Sequence, residues 1–359
     1  MARLSLKLGN STVEELISRT REYDIAPFRK NTFTTECKNY INIIKHGEDV
    51  KPITAKEYWQ CIEQSNSDWN NALVICTSTE ARNLLQRSIL RVPLLVPSEL
   101  DDSPEKRSLA PEAQYASILR FRKYAEGDSV INMQDLSSKQ VTRPLKMDTA
   151  FKRMNVPESP PINFLDIRPV CRNVLPWELD GLLDYSVLHE ATEYGEMSNY
   201  EGTNHSDLSN KDSFALWGKK GVCSYPHIDE HGLYTGVLCE EGEKLWYSWS
   251  LTDQEREKWV ISREQNERHP PERPGFPIPL RKGDLLIMPP GTVHAPLSLT
   301  NVVMRGFHIW CTRTMVQTAR CALLDLRYPM ITDDEPQKEL RNKLQYLVRA
   351  SKARLPPYA

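Results

Sequence analysis

Two textures of hydrophobic patterning divide the chain. Up to about residue 160 apolar positions recur at helical spacing, and two capping-box signatures open periodic runs: Ser11 with Glu14 before Leu16-Ile17, and Thr54 with Glu57 before Tyr58-Trp59. The run from Asn83-Leu84-Leu85 to Leu94-Leu95-Val96 continues the apolar pattern, and the polar stretch from Pro97 to Pro111 predicts an exposed loop. Residues 1–160 are therefore expected to form a mainly helical N-terminal region, closed by the break Pro157-Glu158-Ser159-Pro160-Pro161.

Beyond that break the pattern changes to short β-like runs set off by turn residues. Ile162-Asn163-Phe164-Leu165-Asp166-Ile167 opens them, and a helical stretch from about Glu178 to Tyr194 follows. Strands are predicted at Phe214–Trp217, Val222–Asp229, Tyr234–Cys239, Lys244–Trp249, Asp284–Met288 and Val302–Trp310. Many short strands with glycine and proline turns favour a sandwich or barrel over residues 161–320. Between Arg263 and Lys282 stand Pro270, Pro271, Pro274, Pro277 and Pro279, too irregular for a central strand, so this segment is expected to be a rim loop. Residues 321–359 are expected to form a helical tail with a charged helix from Gln337 to Ala353, which makes the fold class α+β.

Composition narrows the classes. Forty per cent apolar and 26% charged residues, with 25 prolines against 15 glycines, suit a folded chain with defined loops rather than disorder. A net charge of -2 provides no global attraction for nucleic acid or an anionic membrane. The basic segment with Lys338, Arg341, Lys343, Arg349, Lys352 and Arg354 is left as a candidate for weak phosphate contact, a solvated helix face being the plainer reading. No stretch approaches the ~20 apolar residues of a membrane span. Met1 to Asn10 lacks an apolar core of signal-peptide length, so an intracellular location, nucleus or cytoplasm, is expected. Eight cysteines without a CxxC pair suggest reduced thiols rather than a zinc finger or a disulfide framework.

The sharpest chemical signal is His227-Ile228-Asp229 followed by His294 in Pro289-Pro290-Gly291-Thr292-Val293-His294. Two imidazoles and one carboxylate make the facial triad of non-haem iron(II) sites. Residues i and i+2 of a strand share a face, so His227 and Asp229 can reach one ion together, and His294 arrives from a distant strand. A bare HxD is common, and a satisfied or exposed ring is the ordinary reading of each histidine. Here a lysine and a second histidine follow in order.

The combination Ser224-Tyr225-Pro226-His227-Ile228-Asp229, then Gly242-Glu243-Lys244 opening an aromatic strand, then Gly283-Asp284 leading to His294, resembles the JmjC family of iron(II)- and 2-oxoglutarate-dependent oxygenases over about residues 162 to 312. The resemblance implies a double-stranded β-helix, the cupin-like jelly roll, with an N-terminal helical region and a C-terminal helix. It implies His227, Asp229 and His294 as metal ligands and Lys244 as the cation for the distal carboxylate of 2-oxoglutarate. A carboxylate there needs a fixed charge-assisted donor, and a solvated strand lysine is what Lys244 would otherwise be. By the same resemblance Ser224 stands where relatives often place a threonine on that carboxylate, and Thr235 near where they place an asparagine. His308 and Trp310 stand where some place an inward polar and aromatic pair, with ordinary core packing as the alternative. By the same resemblance an upstream tyrosine often completes the cosubstrate pocket, and sequence does not separate Tyr185, Tyr194 and Tyr200 for that place, if any of them takes it. His231 is read as a rim residue, and Trp246, Tyr247 and Trp249 as barrel packing.

The function implied is a dioxygenase that converts 2-oxoglutarate and oxygen to succinate and carbon dioxide while oxidising a protein side chain or a small molecule. No cysteine cluster of zinc-binding spacing accompanies the triad, which favours a hydroxylase over a histone N-methyl-lysine demethylase. The rival classes are a non-catalytic cupin-like metal- or ligand-binding module and a zinc hydrolase, for which no separate general base is visible.

Overall fold

The computed structural model describes residues 7–8, 11–12, 42–43, 47–64, 69–104, 130–135, 142–156, 160–167, 175–183, 213–265, 269–332, 345 and 348. Its strands are β1 (Lys7–Leu8), β2 (Ser11–Thr12), β3 (Lys51–Thr54), β4 (Ala72–Ile75), β5 (Leu94–Val96), β6 (Val130–Asp135), β7 (Thr142–Lys146) and β8 (Ile162–Ile167). They continue with β9 (Ser213–Gly218), β10 (Tyr234–Glu241), β11 (Glu243–Trp249), β12 (Phe276–Arg281), β13 (Leu285–Met288), β14 (Val293–Ser298) and β15 (Val302–Ile309). Helices are α1 (Ala55–Glu63), α2 (Ser78–Arg87), α3 (Met147–Asn155), the single turn α4 (Asp180–Leu183), α5 (Asp253–Gln265) and α6 (Met315–Arg327).

The fold is α+β, with a cupin jelly roll at its centre. A ten-stranded sheet runs β3-β4-β5-β13-β10-β15-β9-β8-β6-β7, and a three-stranded sheet, β12-β11-β14, lies against it. Alternation along each strand decides what meets in between. Val237 and Cys239 of β10 and Met304 of β15 point inward, where they pack with Leu216, Leu286, Trp246, Phe276, Ile278 and Leu280. The opposite parity, Tyr234, Leu238, Phe307 and Ile309, faces a helical layer built on Tyr58, Leu84, Leu85 and Leu179. The outer face of the small sheet, Leu245, Tyr247, Val293, Ala295 and Leu297, is covered by Trp259 and Val260 of α5 and by Tyr328 and Ile331. The jelly roll thus has a layer on each side and a side-chain-filled interior.

Local rules place the supporting elements. Thr54 Oγ1 accepts from the Glu57 amide at 3.2 Å, and the Thr54 amide donates to Glu57 Oε2 at 2.7 Å, closing the expected capping box at the start of α1. A second box, Thr77 with Glu80, opens α2. Gly306 is required by a close approach, because a Cβ there would collide with the ring of Phe214 on the neighbouring strand.

Several expectations need correction. Among the described residues of 1–160, strands and helices alternate, and β3, β4 and β5 extend the main sheet through the β5–β13 pairing. The fully buried runs Leu73-Val74-Ile75 and Leu94-Leu95-Val96 lack alternation, and by periodicity alone they cannot be told from a buried helix. Ser11 stands in a two-residue strand paired with Lys7-Leu8. The stretch after Pro97 is not wholly exposed, since Leu100 and Ser103 are buried. Val222–Asp229 is not a regular strand but makes two isolated bridges, Cys223 with Leu297 and His227 with His294. The proline segment is also not one loop: α5 reaches Gln265, and Pro277 and Pro279 lie within β12. β12 is an edge strand, where a missing amide donor is tolerated. The predicted helix at Gln337–Ala353 lies, except for Gln345 and Val348, outside the described residues, as do Tyr185, Tyr194 and Tyr200. No described helix is long and apolar enough to cross a membrane. None of the described cysteines, Cys61, Cys76, Cys223, Cys239, Cys311 and Cys321, is in a disulfide.

Candidate metal centre

The bridge between His227 and His294 brings two remote segments into register, with reciprocal backbone hydrogen bonds of 2.9 Å. Their rings lie 4.3 Å apart, centroid to centroid. Each ring is oriented by its own chain: Nδ1–H of His227 donates to the Tyr225 carbonyl at 2.7 Å, and Nδ1–H of His294 to the Thr292 carbonyl at 3.0 Å. That arrangement orients each ring through Nδ1 and leaves Nε2 as the nitrogen that would ligate a metal. Asp229 completes the group, and one ligand atom from each of the three residues lies within 4.8 Å of the others.

The carboxylate is itself held. Thr235 Oγ1 donates to Asp229 Oδ2 at 2.6 Å, while Oδ1 lies 3.7 Å from His294 Nε2. Thr235, expected beside the cosubstrate, therefore acts on the metal-facing acid. Desolvation opposes the charge of Asp229, but the imidazoles of His294, His308 and His227 and the Thr235 hydroxyl outweigh it and bring the carboxyl below its usual range. Burial pulls His294 down to about 4 despite the opposing field of Asp229, so the ring is neutral, the form that ligates a metal. Trp246 stacks on His294 with centroids 5.2 Å apart.

These groups line one pocket with Asn163, Phe214, Leu216, Ser224, Val237, Lys244, Pro296, His308 and Thr332, enclosing about 80 Å³. At roughly 10–15 Å³ per water position, the space suits about six waters or one small dicarboxylate. Lys244 is buried at its wall, and among the described residues its ammonium makes no hydrogen bond, lying 5.5 Å from the Trp246 ring centroid. Desolvation lowers its pKa to about 8, the field of Cys239 opposing. Two other cations of nearby strands are held elsewhere: Arg305 by Glu240 at 2.6 Å and Lys282 by Glu241 at 2.9 Å.

Ser224 also lines the pocket, where the Gln134 amide donates to its hydroxyl at 3.1 Å. His308 faces the pocket beside Phe214, 4.7 Å between centroids. Trp310 does not belong here. Alternation would place it with His308, but β15 ends at Ile309, and the indole N–H donates at 3.0 Å to the His231 carbonyl in the interior. His231 is likewise no rim residue, being 1% exposed with its ring between Glu230 and Asp325. Among the described residues, none of the proline segment lines the pocket, so the expected rim loop is not found at its wall. Gln134, Asn163 and Phe214 went unnoticed in the sequence because strand pairing alone carries them to the site.

Residues 203–315 match the family model of the JmjC domain. The chain carries a JmjC domain. No curated protein matches the chain. The matched span includes all three triad residues and Lys244, and every residue lining the pocket except Asn163 and Thr332. The donors of this JmjC domain fit iron(II): two imidazoles and one carboxylate come together on the wall of one pocket.

Proposed function

We propose that this protein is an iron(II)- and 2-oxoglutarate-dependent oxygenase of the hydroxylase type, acting on a protein side chain or a small molecule. The observation that carries the reading is a buried lysine on the wall of the same small pocket as the convergent His227, Asp229 and His294. When bound, iron with 2-oxoglutarate and oxygen supplies an oxidative decarboxylation to succinate and carbon dioxide, coupled to oxidation of the substrate.

The chain's part is positioning and exclusion. His227, Asp229 and His294 would hold the metal, with Thr235 keeping one oxygen of Asp229 engaged. Lys244, protonated at neutral pH, offers the fixed cation for the distal carboxylate, and the Ser224 hydroxyl adds a donor beside it. Phe214, Leu216, Val237 and Trp246 surround the site with apolar surface that excludes water and strengthens these contacts.

The test is anaerobic reconstitution with iron(II) and 2-oxoglutarate, followed by oxygen and a succinate assay with candidate peptides and metabolites. Stoichiometric iron and succinate formation that requires both ligands are expected. Iron binding without turnover would favour a non-catalytic binding module, and formaldehyde release from methylated peptides would move the reading to a demethylase.

A further inference from the structure

Away from the metal pocket a second, larger groove of about 940 Å³ runs between α6, the start of α5 and the Ile89–Pro93 segment. Among the described residues its walls carry Arg91, Arg256, Arg273, Arg320 and Arg327 against Asp253 and Glu257, with Glu255 beside the groove 3.5 Å from Arg273, on a chain whose overall charge is -2. Asp253 is already engaged by Arg256 at 2.9 Å and Arg320 at 3.2 Å. Arg91 and Arg327 have no carboxylate partner among the described residues, and Arg327 rests on the Tyr328 ring. The local field is therefore positive beyond what the lining acids can neutralise.

The same region is apolar where a folded surface usually is not. Leu323 is 67% exposed in the groove, Val316 and Leu326 on the same helix are 69% and 57% exposed, and Ile89 is exposed on the opposite wall. Val316, Leu323 and Leu326 are spaced by seven and three, which stacks them on one face of α6. The opposite face, Thr318, Cys321, Ala322 and Asp325, is buried against the jelly roll, where Thr318 Oγ1 donates to the Gly232 carbonyl at 2.8 Å. The helix is thus fixed by one face and presents an apolar stripe bordered by arginines on the other.

We propose that this groove docks an acidic polypeptide segment of a partner protein, with an apolar side chain anchored on Leu323 and carboxylates paired with Arg91, Arg320 and Arg327. Charge complementarity selects this occupant. A second copy of the chain would bring Arg320 and Arg327 against their own counterparts, and a nucleic acid would leave the leucine stripe uncovered. None of the metal-binding residues lines the groove, so docking is separable from the chemistry of the metal pocket.

The experiment uses the full chain and a fluorescein-labelled peptide of about twelve residues in which glutamates surround two leucines, followed by anisotropy. The glutamate peptide should bind and weaken with added salt, and its lysine counterpart should not bind. The pair Arg320→Glu with Arg327→Glu should lose about tenfold or more in affinity, and Leu323→Asp a comparable factor. All three residues are exposed, so thermal melting should match the parent, and Arg320→Gln with Arg327→Gln gives a milder check in which a smaller loss is expected. The proposal is overturned if the glutamate peptide does not bind or if the charge-reversed pair binds it unchanged. It is equally overturned if an oligonucleotide of equal charge binds as tightly and indifferently to Leu323→Asp, or if sedimentation shows a dimer that Leu323→Asp dissolves.

Discussion

Replacing Lys244 by methionine separates a lysine kept for a ligand from one kept for the fold. The side chain is 1% exposed, and desolvation holds its pKa near 8 instead of the ordinary value of about 10.4. At about 1.4 kcal/mol per tenfold change in proton affinity, the buried charge costs the ligand-free folded state roughly 3 kcal/mol at neutral pH. The sign follows from the protons bound. Below about pH 8 the lysine is charged in folded and unfolded chains alike and the full penalty applies. Between about 8 and 10.4 the folded chain releases its proton first, so the stability of the parent rises with pH across that window. Methionine has nearly the same length without the charge, so Lys244→Met should stabilise the metal-free protein by about 1–3 kcal/mol at pH 7, with the gain shrinking towards pH 10. Urea unfolding of both proteins at several pH values measures this. Calorimetry on the iron-loaded variant should show 2-oxoglutarate affinity reduced by about 2–5 kcal/mol, roughly 30-fold to several-thousand-fold. A variant that is less stable than the parent at every pH and still binds 2-oxoglutarate normally would refute the reasoning, because Lys244 would then be a structural contact.

Three further outcomes follow from the site. His227→Ala, Asp229→Ala and His294→Ala should each lose stoichiometric iron(II), read by metal analysis, while circular dichroism stays that of a folded chain, since the jelly roll is held by its own packing. Thr235→Val removes only the hydrogen bond to Asp229 Oδ2 and should weaken iron affinity about 10–100-fold with unchanged thermal stability; equal affinity would show that the carboxylate is oriented by something else. Trp310→Phe deletes the donor to the His231 carbonyl and should destabilise by about 1–3 kcal/mol in urea while leaving 2-oxoglutarate affinity intact, and a selective loss of that affinity would return Trp310 to the pocket.

Read from the sequence alone, the triad was legible because its chemistry is carried by residue type and order: a histidine, an aspartate, a lysine and a second histidine in that succession bring together a group that could hold a metal ion. The short alternating runs at β10, β11, β13 and β15 were equally legible, since a half-buried strand writes its two faces into every second residue. What alternation could not reveal was decided by tertiary structure. Leu73-Val74-Ile75 and Leu94-Leu95-Val96 are apolar on both faces, so only pairing with β13 shows that they extend the sheet. Thr235 and Ser224 carry hydroxyls that fit several partners, and register alone gave the first to Asp229 and the second to Gln134, 90 residues away. Trp310 follows the inward parity of His308 on paper, yet the strand ends one residue earlier and the indole turns into the core. Pro277 and Pro279 look like loop residues until the sheet order puts them on an edge, where an absent amide breaks no ladder. Residue chemistry is local and survives in the sequence, whereas the choice of partner depends on which remote strand arrives alongside, a property of the packed chain.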